Sequence, residues 1–455
     1  MNKFYFREKE ISILNNYLKS KNQKALAIYG RRRTGKTELI LQVLNKNKSN
    51  MKYYQVSNND YNAALYDFKN IFEHDDILDS LNTFKDVFTY LNKTPKITII
   101  IDEFPFLAKK HEGITTEFQW IIDHALDNIK LILIGSNRSF MKGQIEDSNS
   151  PLYRRFDVII NLLPFSFNEV NKLFKKEKDA MDVYAITGGV AQYVMFFKEY
   201  KTIEEAKDNL IFSRFGRLFL EGPNLLNQEV RDATNYNLIL RALGSSRKTA
   251  SDIASKIKMD PKAIYNYLLK LEELNIIGIV NNPINPKKEK RYYITDLYLR
   301  FSYSFIDSNV SMISALGPDS KKYILDNRYD EYLSFIYEDI IRENLYTYAN
   351  EGYIPFMPNN IENCYVNVFQ DGKWFETEID VIGINGQNVI IGECKYKNKK
   401  IGINELKQLQ FKANFLVKSN QNVFYMLASN EGFTKELLEL NDKNLLLIHG
   451  TKPIK

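Results

Sequence analysis

The residues best suited to chemistry begin at Gly30-Arg31-Arg32-Arg33-Thr34-Gly35-Lys36-Thr37, which follows the apolar run ALAIY and fits the spacing GxxxxGK[ST]. Glycines let such a loop curl so that successive N–H groups face phosphate oxygens, backed by the positive end of the following helix. Lys36 can reach the β- and γ-phosphates, and the Thr37 hydroxyl can ligate Mg2+. The segment ITIIIDE then ends an apolar, β-branched strand pattern in two carboxylates. On a parallel strand beside the loop, Asp102 would hold the Mg2+ and Glu103 would orient the attacking water. Phosphoryl transfer needs positioning and charge neutralisation more than covalent help. A third apolar strand, LILIGS, leads to Asn137, either a sensor of the γ-phosphate or a turn-forming asparagine. The ligand expected is ATP or GTP; with no guanine-reading N-K-x-D motif after the core strands, adenine is favoured.

A second cluster is Asp380, Glu393 and Lys395 within EIDVIGINGQNVIIGECKYK. Glu393 and Lys395 are two apart on one strand pattern and so share a face. A hairpin could bring Asp380 beside them. Carboxylate oxygens with waters suit Mg2+ or Mn2+, and Lys395 could stabilise charge on a scissile phosphate. Glu338, in FIYEDII on the preceding helix, would be a further member. The competing reading is a solvated hairpin with a surface charge pair.

These groups need several domains, as a length of 455 residues requires. The composition, 44% apolar and 26% charged, suits a globular chain, and no apolar run is long enough for a membrane span. The charged start MNKFYFREKE lacks a secretory apolar core, and two cysteines support neither a disulfide framework nor a zinc site, so the cytoplasm is expected. A net charge of +6 permits nucleic-acid binding without demanding it.

The patterning divides the chain into an α/β stretch over 1–165, a helical lid over 166–235, a winged helix-turn-helix over 236–308 and an α/β domain over 325–455. The first reads as a P-loop NTPase parallel sheet. FYFREKEISILNNYL opens it as an amphipathic helix with Ile11, Leu14 and Leu18 inward. In the winged stretch Asp260-Pro261 caps a helix exposing Lys262, Asn266 and Lys270, and a hairpin tip at Pro286–Arg291 carries KKEKR. That module would read DNA or dock a protein.

Taken together, FREKEISIL, YGRRRTGKTEL, IIIDEFPFL, LIGSN, SPLYRRFDVI, LPFSF, TGGVAQYV and EIDVIG…GECKYK give a chain that resembles the archaeal-type P-loop ATPases of the AAA+/STAND lineage. Their C-terminal domain of unknown function looks like the PD-(D/E)xK, restriction-endonuclease-like nuclease fold. The resemblance implies ATP use, a lid, a place for Arg7 at the nucleotide pocket, and an arginine finger at Arg154 or Arg155 acting on a neighbour in a homo-oligomer. Arg154 stands where the family has glycine, Ala191 where it favours proline, and Ile379 where the nuclease motif has proline. The functions implied are an ATP-hydrolysing, DNA-associated protein with a metal-dependent nuclease-like domain, or a STAND-type ATP switch whose C-terminal domain binds without cleaving.

Overall fold

A computed structural model describes residues 5–454 apart from 47–49, 58–59, 109–110, 112, 231 and 281–289, and apart from the side chain of residue 327. It divides into two compact units, Met1–Glu169 with Gly189–Met195, and Val170–Gly188 with Phe196–Lys455.

The first unit is built on β1 (Ala25–Tyr29), β2 (Met51–Gln55), β3 (Ile97–Asp102), β4 (Ile129–Gly135) and β5 (Val158–Asn161), all parallel in the order β2-β3-β4-β1-β5. A strand alternates its side chains between two faces, and both faces here are covered, which is why the strands are apolar throughout. Leu26, Ile28, Ile100, Ile132 and Ile134 join Leu39, Ile40 and Val43 of helix Lys36–Lys46 on one face. Ala25, Ala27, Ile99, Ile101, Leu131 and Leu133 meet Phe88 and Phe118 on the other. The opening helix forms at Glu8–Lys19, with Leu14 and Tyr17 buried. This is a P-loop NTPase sheet. β4 inserts between β3 and β1. The insertion sets three strand ends, not two, around the loop.

The helical stretch read as a single lid is shared out. Gly189–Met195 belongs with the first unit, and its flanks belong with the second. In the second unit, helices Thr234–Leu243, Ala250–Ile257 and Pro261–Glu273 enclose a core with a small sheet of β6 (Lys248–Thr249), β7 (Ile277–Val280) and β8 (Arg291–Ile294), ordered β6-β8-β7. Asp260 caps the third helix by accepting the N–H groups of Lys262 and Ala263. Lys262, Asn266 and Lys270 are exposed on that helix. The KKEKR tip lies largely outside the described residues.

The remaining sheet runs β14-β13-β12-β11-β10-β9, from β9 (Asn360–Gln370), β10 (Lys373–Asn385), β11 (Asn388–Lys395), β12 (Asn422–Ser429), β13 (Leu445–His449) and β14 (Lys452–Pro453). β9, β10 and β11 are antiparallel, β11 to β13 are parallel, and β14 is antiparallel again. β10 outruns β11: its residues 373–379 pair only with β9, making a protruding two-stranded ribbon. Helix Ile403–Ala413 buries Leu406 and Leu409 against Ile379, Val389 and Ile391. Cys364 and Cys394 are both buried thiols, and no helix among the described residues is long and apolar enough to cross a membrane.

Candidate functional site

The loop from Gly30 to Thr37 joins β1 to helix Lys36–Lys46. Gly30 is obligatory for a reason beyond flexibility: a Cβ there would stand 2.3 Å from the Leu162 carbonyl oxygen. Arg33 (φ 68°) and Gly35 (φ 91°) take left-handed backbone conformations, and the Thr34 hydroxyl ties back to the Arg31 carbonyl at 2.8 Å. The buried Lys36 ammonium donates to the Gly30 and Arg31 carbonyls, both at 2.9 Å. Burial brings its pKa down to about 8, against the upward pull of Glu103 and Asp102. Arg32 Nε is buried without a hydrogen-bond partner. A cation folded on carbonyls, an orphaned guanidinium nitrogen and a curled main chain suit a polyanion.

Asp102 ends β3 and collects donors. Thr37 Oγ1 reaches its Oδ2 at 2.5 Å, the Tyr53 hydroxyl reaches the same oxygen at 2.8 Å, and the Glu103 N–H reaches Oδ1 at 2.8 Å. A hydroxyl and a carboxylate in contact at the foot of the loop would suit the Mg2+ that accompanies a nucleotide triphosphate. Glu103 has a left-handed backbone, φ 60°, a strained conformation for a non-glycine residue that tends to persist at functional sites. Its carboxylate accepts from Ser136 Oγ at 2.6 Å. Ser136 directly follows the inserted strand, so β4 is what holds Glu103 in place.

Asn137 caps helix Arg138–Glu146 by accepting the Phe140 N–H at 2.8 Å. Arg155 is paired with Asp123 of the same chain, Nε to Oδ1 at 2.9 Å, and Arg154 lies over the Tyr153 ring. Arg7 is buried over Phe165, donating to the Leu163 carbonyl at 2.8 Å and towards that of Thr34 at 3.4 Å, so it braces the loop from behind. From the GGVAQYV segment, the Gln192 N–H bonds the Arg33 carbonyl, and Arg31 and Arg33 lie over the Tyr193 ring. Gly189 (φ 68°) accepts the Phe165 N–H at 2.8 Å, and a Cβ there would stand 1.9 Å from the Phe165 oxygen.

In the second unit, alternation puts Glu393 and Lys395 on the face of Val389 and Ile391, beneath helix Ile403–Ala413. Lys395 pairs with one Glu393 oxygen and Lys412 of that helix with the other, at 2.9 Å. Asp380 sits where the β9–β10 register shifts between Ile379 and Ile382, a bulge that takes it out of simple alternation. Its Oδ2 accepts the Cys394 N–H at 2.8 Å, and Arg342 donates to its carbonyl. Burial, then the charge of Glu393, pushes the Asp380 carboxyl up to about 7. Burial, then Asp380, holds Glu338 well above the ordinary range. Glu393 is buried too, yet Lys395 and Lys412 hold it low.

Glu338 faces cations, Arg247 at 3.4 Å and Arg342 at 3.7 Å. Among the described residues no three His, Cys, Asp or Glu side chains are grouped to hold a metal, so Glu338 does not complete a ligand set with Asp380 and Glu393. Of the remaining pair, Asp380 is driven towards its neutral form by burial and by Glu393, which marks negative charge a divalent cation would offset, while Glu393 already has Lys395 and Lys412.

Sequence reasoning missed Ser136, Tyr53, Lys412 and Arg247. Ser136 was adjacent to the residue chosen, one step back along an alternating strand. Lys412 and Arg247 act across long sequence separations and carry no local signal.

A family described as an ATPase domain predominantly from Archaea matches residues 4–197, and one described as archaeal and bacterial proteins of unknown function matches residues 302–409. An uncharacterized protein of Methanocaldococcus jannaschii is 29% identical over 413 residues, 87% of this chain and 88% of that one. The Aeropyrum pernix ORC2 protein, solved as ADPNP-ADP complexes, aligns at 13% identity over 71% of this chain and 96% of its own, with a TM-score of 0.47. The Thermotoga maritima RuvB Holliday junction branch migration motor aligns at 13% identity over 62% and 91%, with a TM-score of 0.34.

Proposed function

We propose that this chain, a member of the archaeal-type ATPase family through its residues 4–197, hydrolyses ATP in its first unit and cleaves DNA in its second. The observation that carries the ATPase reading is the Ser136–Glu103 hydrogen bond beside the Thr37–Asp102 contact. Main-chain amides of 30–37 and Lys36 bind the phosphates. Thr37 and Asp102 would hold the Mg2+, which when bound neutralises charge on the phosphate oxygens. Glu103, aimed by Ser136, orients and polarises the attacking water. Arg155 would leave Asp123 to act as a finger on a neighbouring copy's nucleotide.

Residues 236–308 serve as a winged helix presenting Lys262, Asn266 and Lys270 to DNA, and 325–455 as the nuclease-like domain. There Asp380 and Glu393 would hold Mg2+ or Mn2+, which would supply a Lewis acid for the scissile phosphate. Lys395 stabilises the charge that grows on that phosphate, and Lys412 fixes the Glu393 carboxylate. A second reading, a STAND-type switch whose C-terminal domain binds without cutting, is favoured by one observation: both Glu393 oxygens are already taken by lysines.

The test uses the full chain with plasmid and single-stranded DNA, Mg2+ or Mn2+, with and without ATP. Asp380→Ala and Lys395→Ala should abolish cleavage; Lys36→Ala should lose ATP binding. Glu103→Gln should bind ATP yet hydrolyse it about 100-fold or more slower. Cleavage that survives both C-terminal substitutions would refute the role given to Asp380 and Lys395, and no cleavage in any nucleotide state leaves the switch reading standing. Normal hydrolysis by Glu103→Gln would refute the role given to that carboxylate.

A further inference from the structure

Beside the lysine–carboxylate cluster, the ribbon of β9 and β10 carries large aromatic rings in water. Trp374 is 65% exposed, with Phe369, Phe375, Phe411 and Phe415 each more than a third exposed. All but Phe375 form a connected series: Phe369 to Trp374 at 5.3 Å, Trp374 edge-on to Phe415 at 6.0 Å, and Phe415 to Phe411 at 5.2 Å between centroids. Exposed rings at the end of a ribbon cost solubility without adding to the core, and a contiguous apolar patch of this kind marks an interaction surface.

A groove of about 420 Å³ opens between the ribbon and helix Ile403–Ala413. Phe375 and Phe411 line it, together with Val368, Thr377, Lys407 and Lys412, and its lining includes no acid. Lys407 is exposed, as is Lys373, two residues before Phe375 and therefore on the same strand face. The groove runs into the second site through Lys412, whose stem lines it while its ammonium bonds Glu393. Planar rings, cations without acids, and continuity with a phosphate-directed site together describe one class of ligand.

We propose that this end of the ribbon binds a single-stranded nucleic-acid segment, stacking its bases on Phe375 and Phe411 in the groove and, through the Phe411–Phe415–Trp374 series, on Trp374, which strand alternation turns to the ribbon's other face. Lys373 and Lys407 take the backbone phosphates, and the strand is led towards Lys395. Unpaired bases have free π-faces, whereas a duplex hides them, so single strands are selected. The assignment of direction rests on the reading of Asp380, Glu393 and Lys395 as the cleavage site.

Binding can be read without cleavage, in metal-free and ATP-free buffer. The chain has two tryptophans, Trp120 and Trp374, so Trp120→Phe leaves Trp374 as the sole indole reporter. Oligothymidylate of about 16 nucleotides should quench its emission saturably, and a hairpin duplex should not. By anisotropy of labelled oligothymidylate, Trp374→Ala and Phe411→Ala should each bind roughly 5- to 150-fold more weakly. Unchanged affinity in both variants, or tighter binding of the duplex, would overturn the proposal. So would sedimentation showing that Trp374→Ala splits a dimer while oligonucleotide binding persists, since the rings would then belong to an interface between copies. Intact oligothymidylate binding with DNA cleavage indifferent to Asp380→Ala would instead defeat the cleavage reading alone.

Discussion

Lys36 carries the sharpest consequence at the scale of a single residue. Its ammonium is buried, and burial lowers its pKa to about 8. A basic group with a depressed folded pKa prefers to be neutral, so below about pH 8 the empty loop holds a charge it would rather shed. Triphosphate binding reverses that preference, because the anion favours the ammonium. Above about pH 8 the free protein must therefore take up a proton to bind ATP. Affinity should be insensitive to this group below pH 8 and fall above it, approaching tenfold per pH unit. Titration calorimetry in two buffers of different ionisation enthalpy would register the proton uptake near pH 9. Equal uncorrected heats in the two buffers, with affinity constant across that range, would show that Lys36 stays charged throughout.

At the scale of elements, Gly189 fixes a short segment to the ATPase unit. Its left-handed backbone and the Phe165 oxygen 1.9 Å from any Cβ both exclude a side chain. Gly189→Ala should cost at least about 2 kcal/mol, from backbone strain and enforced displacement of the Phe165 peptide. A urea midpoint followed by Trp120 emission in a Trp374→Phe background should fall accordingly, whereas Gly143→Ala, with open space around its Cβ, should not lower it. The paired glycines, the phosphate loop and the acid pair at the end of β3 were legible because each is a local pattern. The neighbours of each strand were not. Continuous apolar runs show that ITIIID and LILIG are strands buried on two faces, but both orders of β1, β3 and β4 satisfy that equally. That ambiguity hid Ser136, whose role exists only because β4 lies in the middle. The bulge at Asp380 was hidden for a related reason: a one-residue shift in pairing depends on the partner strand, and nothing in EIDVIG records it.

At the scale of the whole molecule, the second unit joins its three-helix module to its C-terminal domain through a buried charge network. Arg247, from just before β6, donates to Glu378 at 2.5 Å and lies 3.4 Å from Glu338 and 3.9 Å from Asp339, while Arg291 of β8 pairs with Glu376 at 2.8 Å. Removing one partner of a buried ion pair leaves an unpaired charge and costs about 3–5 kcal/mol. Arg247→Met should therefore destabilise this unit by about that much at pH 8. The sign of its pH dependence follows from the acids left behind. Glu338, one of those acids, is held well above its ordinary range, and Asp380, which is not a partner of Arg247, is pushed up to about 7 by burial and then Glu393, so both hold protons more tightly folded than unfolded. Stability from such groups is fully present below the unfolded carboxyl range, about pH 4, and is lost as pH rises through the folded value. Arg247→Met should thus be least damaging near pH 4 and most damaging at pH 8. Asp380→Asn, which cannot ionise, should gain on the wild type across the same interval. Both trends can be followed by urea unfolding with Trp374 emission in a Trp120→Phe background. A cost for Arg247→Met that stays flat from pH 4 to pH 8 would mean that the arginine is not what neutralises these carboxylates.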